Sequence, residues 1–120
     1  MGTLLVHITS GPEHPTRAAL GMLVARAGVD EGHQVNVFLA GDAVQLIGDA
    51  VLDALGGLGT GSLRQFFDAV TAGGGRFYVS GMSSKARGVS EADLDGKSAE
   101  FAMPNRLVQL AFEADRSFTY

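Results

Sequence analysis

A chain of 120 residues has room for one domain, and 46% hydrophobic content lets it bury a single core without staples. It has no cysteine, which excludes disulfides, thiolate zinc sites and every thiol-based mechanism. A net charge of −4 with no basic face argues against a nucleic-acid partner, and no apolar run approaches the ~20 residues that cross a bilayer.

The chain opens on a compact apolar run from Thr3 to Thr9 with no helical spacing, which predicts a buried strand. No basic segment precedes that run, so no secretory leader is expected and the predicted location is cytoplasmic. Ser10 to Pro15 reads as a turn, because its two prolines oppose an early helix. From Thr16 the spacing turns helical: Leu20, Leu23, Val24 and Ala27 share one face, and Gly28 stands ready to cap. Val35 to Ala40 predicts a second buried strand. Gly41 and Asp42 end it, with Asp42 capping a short helix that holds Val44 and Ile47. Asp49 to Leu55 suggests a turn or two of helix, which Gly56-Gly-Leu-Gly-Thr-Gly61 breaks into a mobile loop.

Ser62 begins a further helix, with Leu63, Phe66, Phe67 and Val70 on one face and Gly73-Gly-Gly75 closing it. Phe77 to Ser80 predicts the third strand. Ser90 with Asp93 has the form of a capping box, so a short helix is expected there. Ala99 to Met103 predicts a fourth strand, and Pro104 starts a last helix with Leu107, Leu110, Ala111 and Ala114 inward. Ser117 to Tyr120 is strand-like. Strands alternating with helices predict an α/β single domain: a mostly parallel sheet of about five strands with helices on both faces. Val51, Leu55 and Leu58 are apolar residues that one small sheet is not expected to cover, which points to a homo-oligomer.

The chemistry-bearing residues are few. No motif calls for a cofactor: Gly56 to Gly61 lacks the lysine of a phosphate loop. His7, His14 and His33 have no metal-ligand spacing. The segment Ser80-Gly81-Met82-Ser83-Ser84-Lys85-Ala86-Arg87 is different. It follows a buried strand, at the end of a sheet where ligands bind in α/β folds. A helix starting near Ser83 would offer free N–H groups to an anion, with Lys85 and Arg87 adding charge. Thr9 and Ser10 end the first strand beside it, and His14 follows them in the turn. These ten residues, with Gly81 and Met82 included, form the candidate ligand site. A serine nucleophile at Ser83 or Ser84 is the alternative, although Gly81 to Lys85 lacks the second glycine of a hydrolase elbow. Helix capping is the structural use of either hydroxyl. Met82 and Met103 are expected in the core or a lid.

Thr9-Ser10-Gly11, Ser80 to Val89, Met103-Pro104 and the terminal strand together resemble the DsrE/DsrF/TusD-like family of small sulfur-handling proteins, with Ala86-Arg87-Gly88-Val89 the sharpest match. The resemblance implies a five-stranded mainly parallel sheet, homotrimers or homohexamers, and sulfur relay where a cysteine ends the third strand. Here Ser80 stands in the place of that cysteine, and Ser83 in the place of the second one in the two-cysteine branch. Serine cannot carry a persulfide, so the resemblance implies the scaffold and the pocket position without the sulfur chemistry. The expected function is that of a small-ligand, anion-binding or regulatory protein. A cysteine-independent enzyme and a structural subunit are the alternatives.

Overall fold

The five expected strands form in a computed structural model that describes every residue from Met1 to Tyr120. In chain order the elements begin with β1 (Thr3–Ile8), α1 (Pro15–Asp30), β2 (Gln34–Leu39), a 3₁₀ turn (Gly41–Ile47) and α2 (Asp49–Ala54). A minute hairpin of β3 (Gly56–Gly57) and β4 (Gly61–Ser62) follows, then α3 (Leu63–Ala72), β5 (Arg76–Ser80), α4 (Gly81–Arg87) and α5 (Glu91–Leu94). β6 (Ala99–Ala102), α6 (Pro104–Glu113) and β7 (Arg116–Thr119) complete the chain. The main sheet has the order β6-β5-β2-β1-β7, and every neighbouring pair is parallel.

Alternation along each strand sorts residues between two faces. Leu4, Val6 and Ile8 of β1, Val35, Val37 and Leu39 of β2, and Phe77 and Val79 of β5 face one side. There they meet Met22 and Ala25 of α1 and Leu63, Phe66, Phe67 and Val70 of α3 in the main core. The opposite face is thin. Leu5, Phe38 and Tyr78 bury against Leu110 of α6, with Leu107 and Ala114 beside them.

Several local expectations change. Helix α1 starts at Pro15 rather than Thr16, because proline suits a first helical turn whose N–H has no partner. Its inward face is Ala18, Met22 and Ala25, while Leu20 is exposed; the helix is apolar nearly all round, so spacing does not pick its face. Gly28 lies inside the helix and does not cap it. A Cβ there would sit 2.7 Å from Leu4 Cδ2 and 2.9 Å from Val35 Cγ2, so glycine lets α1 approach the sheet. Asp42 does not cap the following turn, which is 3₁₀ and begins after Ala40. Residues 49–61 are a helix and a hairpin, the hairpin lying against α1 where Leu58 N–H donates to Thr16 Oγ1 at 3.2 Å. Val51 and Leu55 pack on the main core, and only Leu58 of that trio is exposed. The fourth strand stops at Ala102, which leaves Met103 as the residue before α6. Met82 and Met103 are both exposed, not core residues.

Candidate functional site

β5, β2 and β1 are consecutive in the sheet, so their carboxyl ends bring Ser80 to Ser84, Gly41-Asp42 and Thr9 to Gly11 side by side. The helix at the end of β5 begins at Gly81, two residues earlier than expected, because Ser80 caps it. Ser80 Oγ accepts from the Ser83 N–H at 3.2 Å. Gly88 ends α4 with φ of +72°, a conformation that glycine adopts without strain. The glycine of the Ala86-Arg87-Gly88 match thus sets the length of this helix.

The remaining hydroxyls have structural positions. Ser83 Oγ accepts from the Gly41 N–H at 2.9 Å and ties α4 to the end of β2. Ser84 is 1% exposed, and its Oγ has no hydrogen-bond partner in the protein. Gly11 packs directly on the Asp42 main chain, where no side chain would fit. Thr9 Oγ1 donates to the Tyr120 carbonyl at 3.0 Å, which turns Thr9 towards β7. Ser10 is buried.

The two basic residues differ. Arg87 Nε donates to Asp42 Oδ1 at 2.9 Å, and its Nη1 donates to the Ser83 carbonyl at 3.2 Å. Its charge is therefore answered within the protein. Lys85 is exposed and pairs with no carboxylate. Gly81 lies near Met103, since a Cβ on it would be 3.7 Å from the Met103 sulfur. Met82, 61% exposed, and Met103, 51% exposed, both keep much of their side chains in solvent.

His14 does not join this group. It lines a shallow hollow with Thr16, Arg17, Leu20, Thr119 and Tyr120, on the β1–β7 side of the sheet. β1 lies two strands from β5, about 10 Å across the sheet. No hydrogen bond connects His14 to Ser80, Ser83 or Ser84, so the serines have no general base from it. The principal hollows of the surface lie elsewhere, and none is lined by the Ser80 to Arg87 segment. His7 lies on the thin face of the sheet, edge-on to Phe38 with ring centroids 5.9 Å apart. Its Nε2 is buried without a partner, and burial holds its pKa below the ordinary histidine value.

Two contacts, one at the site and one beyond it, escape sequence reasoning. One is Asp42, whose partner Arg87 lies 45 residues away. The other is Lys97, whose Nζ donates to the Ile47 carbonyl at 2.8 Å and the Asp93 carbonyl at 2.6 Å, and pairs with Asp49 at 3.2 Å. A lysine after Gly96 in a loop carries no local signal of that role.

A five-stranded parallel sheet with helices packed on it matches the fold of DsrE-like α/β proteins. The chain belongs to the DsrE/DsrF-like family, whose model matches residues 3–120. Its fold is similar to that of the ychN protein from E. coli, known from a crystal structure. The two share 19% identity over 100% of both chains, with a TM-score of 0.80. No curated protein sequence matches it. No helix is long and apolar enough to cross a membrane.

Proposed function

We propose that this DsrE-family chain is a non-catalytic binding subunit that works as a homo-oligomer, a trimer or hexamer, with the end of β5 and α6 as its recognition surface. One observation carries the reading. The hydroxyls that stand where the family's sulfur carriers have cysteines are engaged as a cap and a tether, while two methionines beside them are exposed. Exposed methionines suit adaptable apolar contacts.

The same surface continues along α6. Val108 and Phe112, four residues apart, form an outward apolar stripe, and Phe112 is 88% exposed. From Met103 to Phe112 the helix rises ~14 Å. Phe112 alone leaves on the order of 150 Å² of aromatic surface in water. Arg106 leans the other way, its guanidinium 5.2 Å from the Tyr78 ring of β5. Val108 is turned nearly half a revolution from Arg106, so the stripe faces away from β5 and into solvent.

A small anion at α4 has less support, because Arg87 is already paired with Asp42 and none of the principal hollows is lined by α4. Lys85 remains as a charge for a partner's carboxylate. Serine catalysis has the least, since each hydroxyl lacks a base. Cytoplasmic residence belongs to this reading, and cell fractionation tests it.

Peroxide footprinting tests the surface. In the isolated chain Met1 is 98% exposed and Met22 1%, which supplies fast and slow internal references. If Met82 and Met103 are buried between subunits, their oxidation rates fall towards that of Met22. Rates close to that of Met1 at both positions overturn the proposal.

A further inference from the structure

The most apolar of the principal hollows lies at the opposite end of the sheet, where β1 and β7 begin. It encloses about 300 Å³ between α1 and the sheet edge. Its floor is Leu4 and Phe118, and its wall is Val24, Ala27 and Gly28. The register of β7 on β1 sets Arg116 opposite Leu4 and Phe118 opposite Val6, so both side chains stand on the α1 side. Small residues at 27 and 28 leave the space open. The closeness of α1 to β1 at Gly28 fixes its depth.

The rim carries both signs of charge. Glu31 and Arg116 line it, and neither forms an ion pair within the protein. Arg116 donates only to a main-chain carbonyl, that of Asp115, at 2.7 Å. Asp115 uses one carboxylate oxygen to accept from the Thr3 N–H at 2.8 Å, and the other is left over. His33 Nδ1 accepts from the Gly2 N–H at 2.9 Å, so its ring proton sits on Nε2 as a donor. Acidic and basic groups thus share the mouth of an apolar hollow without neutralising each other.

From this arrangement we propose that the hollow binds a small zwitterion with an apolar side chain, the chemistry of a free hydrophobic amino acid. The side chain would lie on Leu4, Val24 and Phe118. The carboxylate would meet Arg116 and His33, and the ammonium would meet Glu31 and Asp115. A volume at the small end of ligand sites, ~300–1,000 Å³, limits the apolar part to one side chain of leucine or phenylalanine size. A ligand with one charge leaves the other rim charge unanswered, so it binds more weakly. This site is separate from the end of β5 and stands or falls apart from the assembly reading.

The test is a titration with L-phenylalanine, followed by ¹H–¹⁵N NMR at the amides of Val24, Ala27, Gly28 and Phe118. 3-Phenylpropionate lacks the ammonium and phenethylamine lacks the carboxylate, so they serve as single-charge controls. The expected result is saturable binding in the range of about 0.1–1 mM, with both controls at least about tenfold weaker. Glu31→Gln and Arg116→Gln each weaken L-phenylalanine roughly three- to tenfold. Ala27→Phe fills the hollow from an exposed helix position and abolishes the shifts. The proposal is overturned if either control binds as tightly as L-phenylalanine. It is equally overturned if Ala27→Phe leaves the titration unchanged, or if no saturation is reached.

Discussion

Ser84→Ala should make the protein more stable, although it removes a polar group from the motif that carries the family match. The Ser84 side chain is 1% exposed and its Oγ has no partner in the protein. Holding such a hydroxyl away from water costs roughly 1–3 kcal/mol on protein scales. Alanine is also the better helix former, by up to about 0.5 kcal/mol. Against these stands the lost packing of one atom, under about 1 kcal/mol. The net gain is about 1 kcal/mol, which raises Tm by roughly 3–6 °C for a chain of this size. The flanking serines should behave oppositely. Ser80→Ala removes the 3.2 Å cap of α4 and costs about 1 kcal/mol. Ser83→Ala strands the Gly41 N–H, bonded at 2.9 Å, and costs about 1–2 kcal/mol. Thermal and urea unfolding by circular dichroism, at one fixed protein concentration, reads all three. A Ser84→Ala loss above about 1 kcal/mol, with Ser80→Ala neutral, would refute the assignment of these hydroxyls.

Three further outcomes are expected. His7 has its folded pKa lowered by burial, below the usual 6.5, so the unfolded chain binds the proton more readily. Its stability contribution is full above pH 6.5 and is lost as pH falls from there through the lowered folded value. His7→Phe should flatten that part of the stability–pH curve; an unchanged curve contradicts the burial. Lys97→Met leaves the Ile47 and Asp93 carbonyls without their donor and should cost about 1–3 kcal/mol by urea unfolding, and a neutral result would show that clamp to be dispensable. Ser80→Cys places a thiol at the cap of α4, where the Ser83 N–H points at it, and it should titrate below the free value of ~8.5 in alkylation kinetics. A raised value would mean that burial at this position outweighs the helix start.

The three central strands β1, β2 and β5 were legible because they are buried on the main-core face and bounded by glycine, proline or a cap. Val35 to Leu39 and Phe77 to Ser80 offer no other period to follow. Helix α3 was legible for the same reason, since Leu63, Phe66, Phe67 and Val70 all turn inward. Helix α1 was legible as a helix but not in orientation. Its best-spaced leucines point sideways or outward, while alanines and glycines meet the sheet. Close packing there depends on what Leu4 and Val35 occupy, which no local pattern reports. At the candidate site the sequence located the turn after β5, because Ser80 follows a buried run and Gly88 stops the helix. It did not foresee that Arg87 is taken by Asp42 or that His14 faces β7. Both follow from strand order, which sets neighbours that are distant in the chain. The exposed stripe on α6 was hidden by the inward face it adjoins: Leu107 and Leu110 predict the helix, and Val108 and Phe112 read as part of the same apolar content.

Native mass spectrometry of the freshly purified wild-type chain, over a wide range of concentration, addresses the proposed assembly most directly. The chain mass is 12.5 kDa, and the proposal predicts a particle of three or six such subunits. Dissociation of that particle by Phe112→Glu would place α6 in its interface. A single 12.5 kDa species at every concentration would contradict the assembly and leave the exposed Met82, Met103 and Phe112 without the role assigned to them.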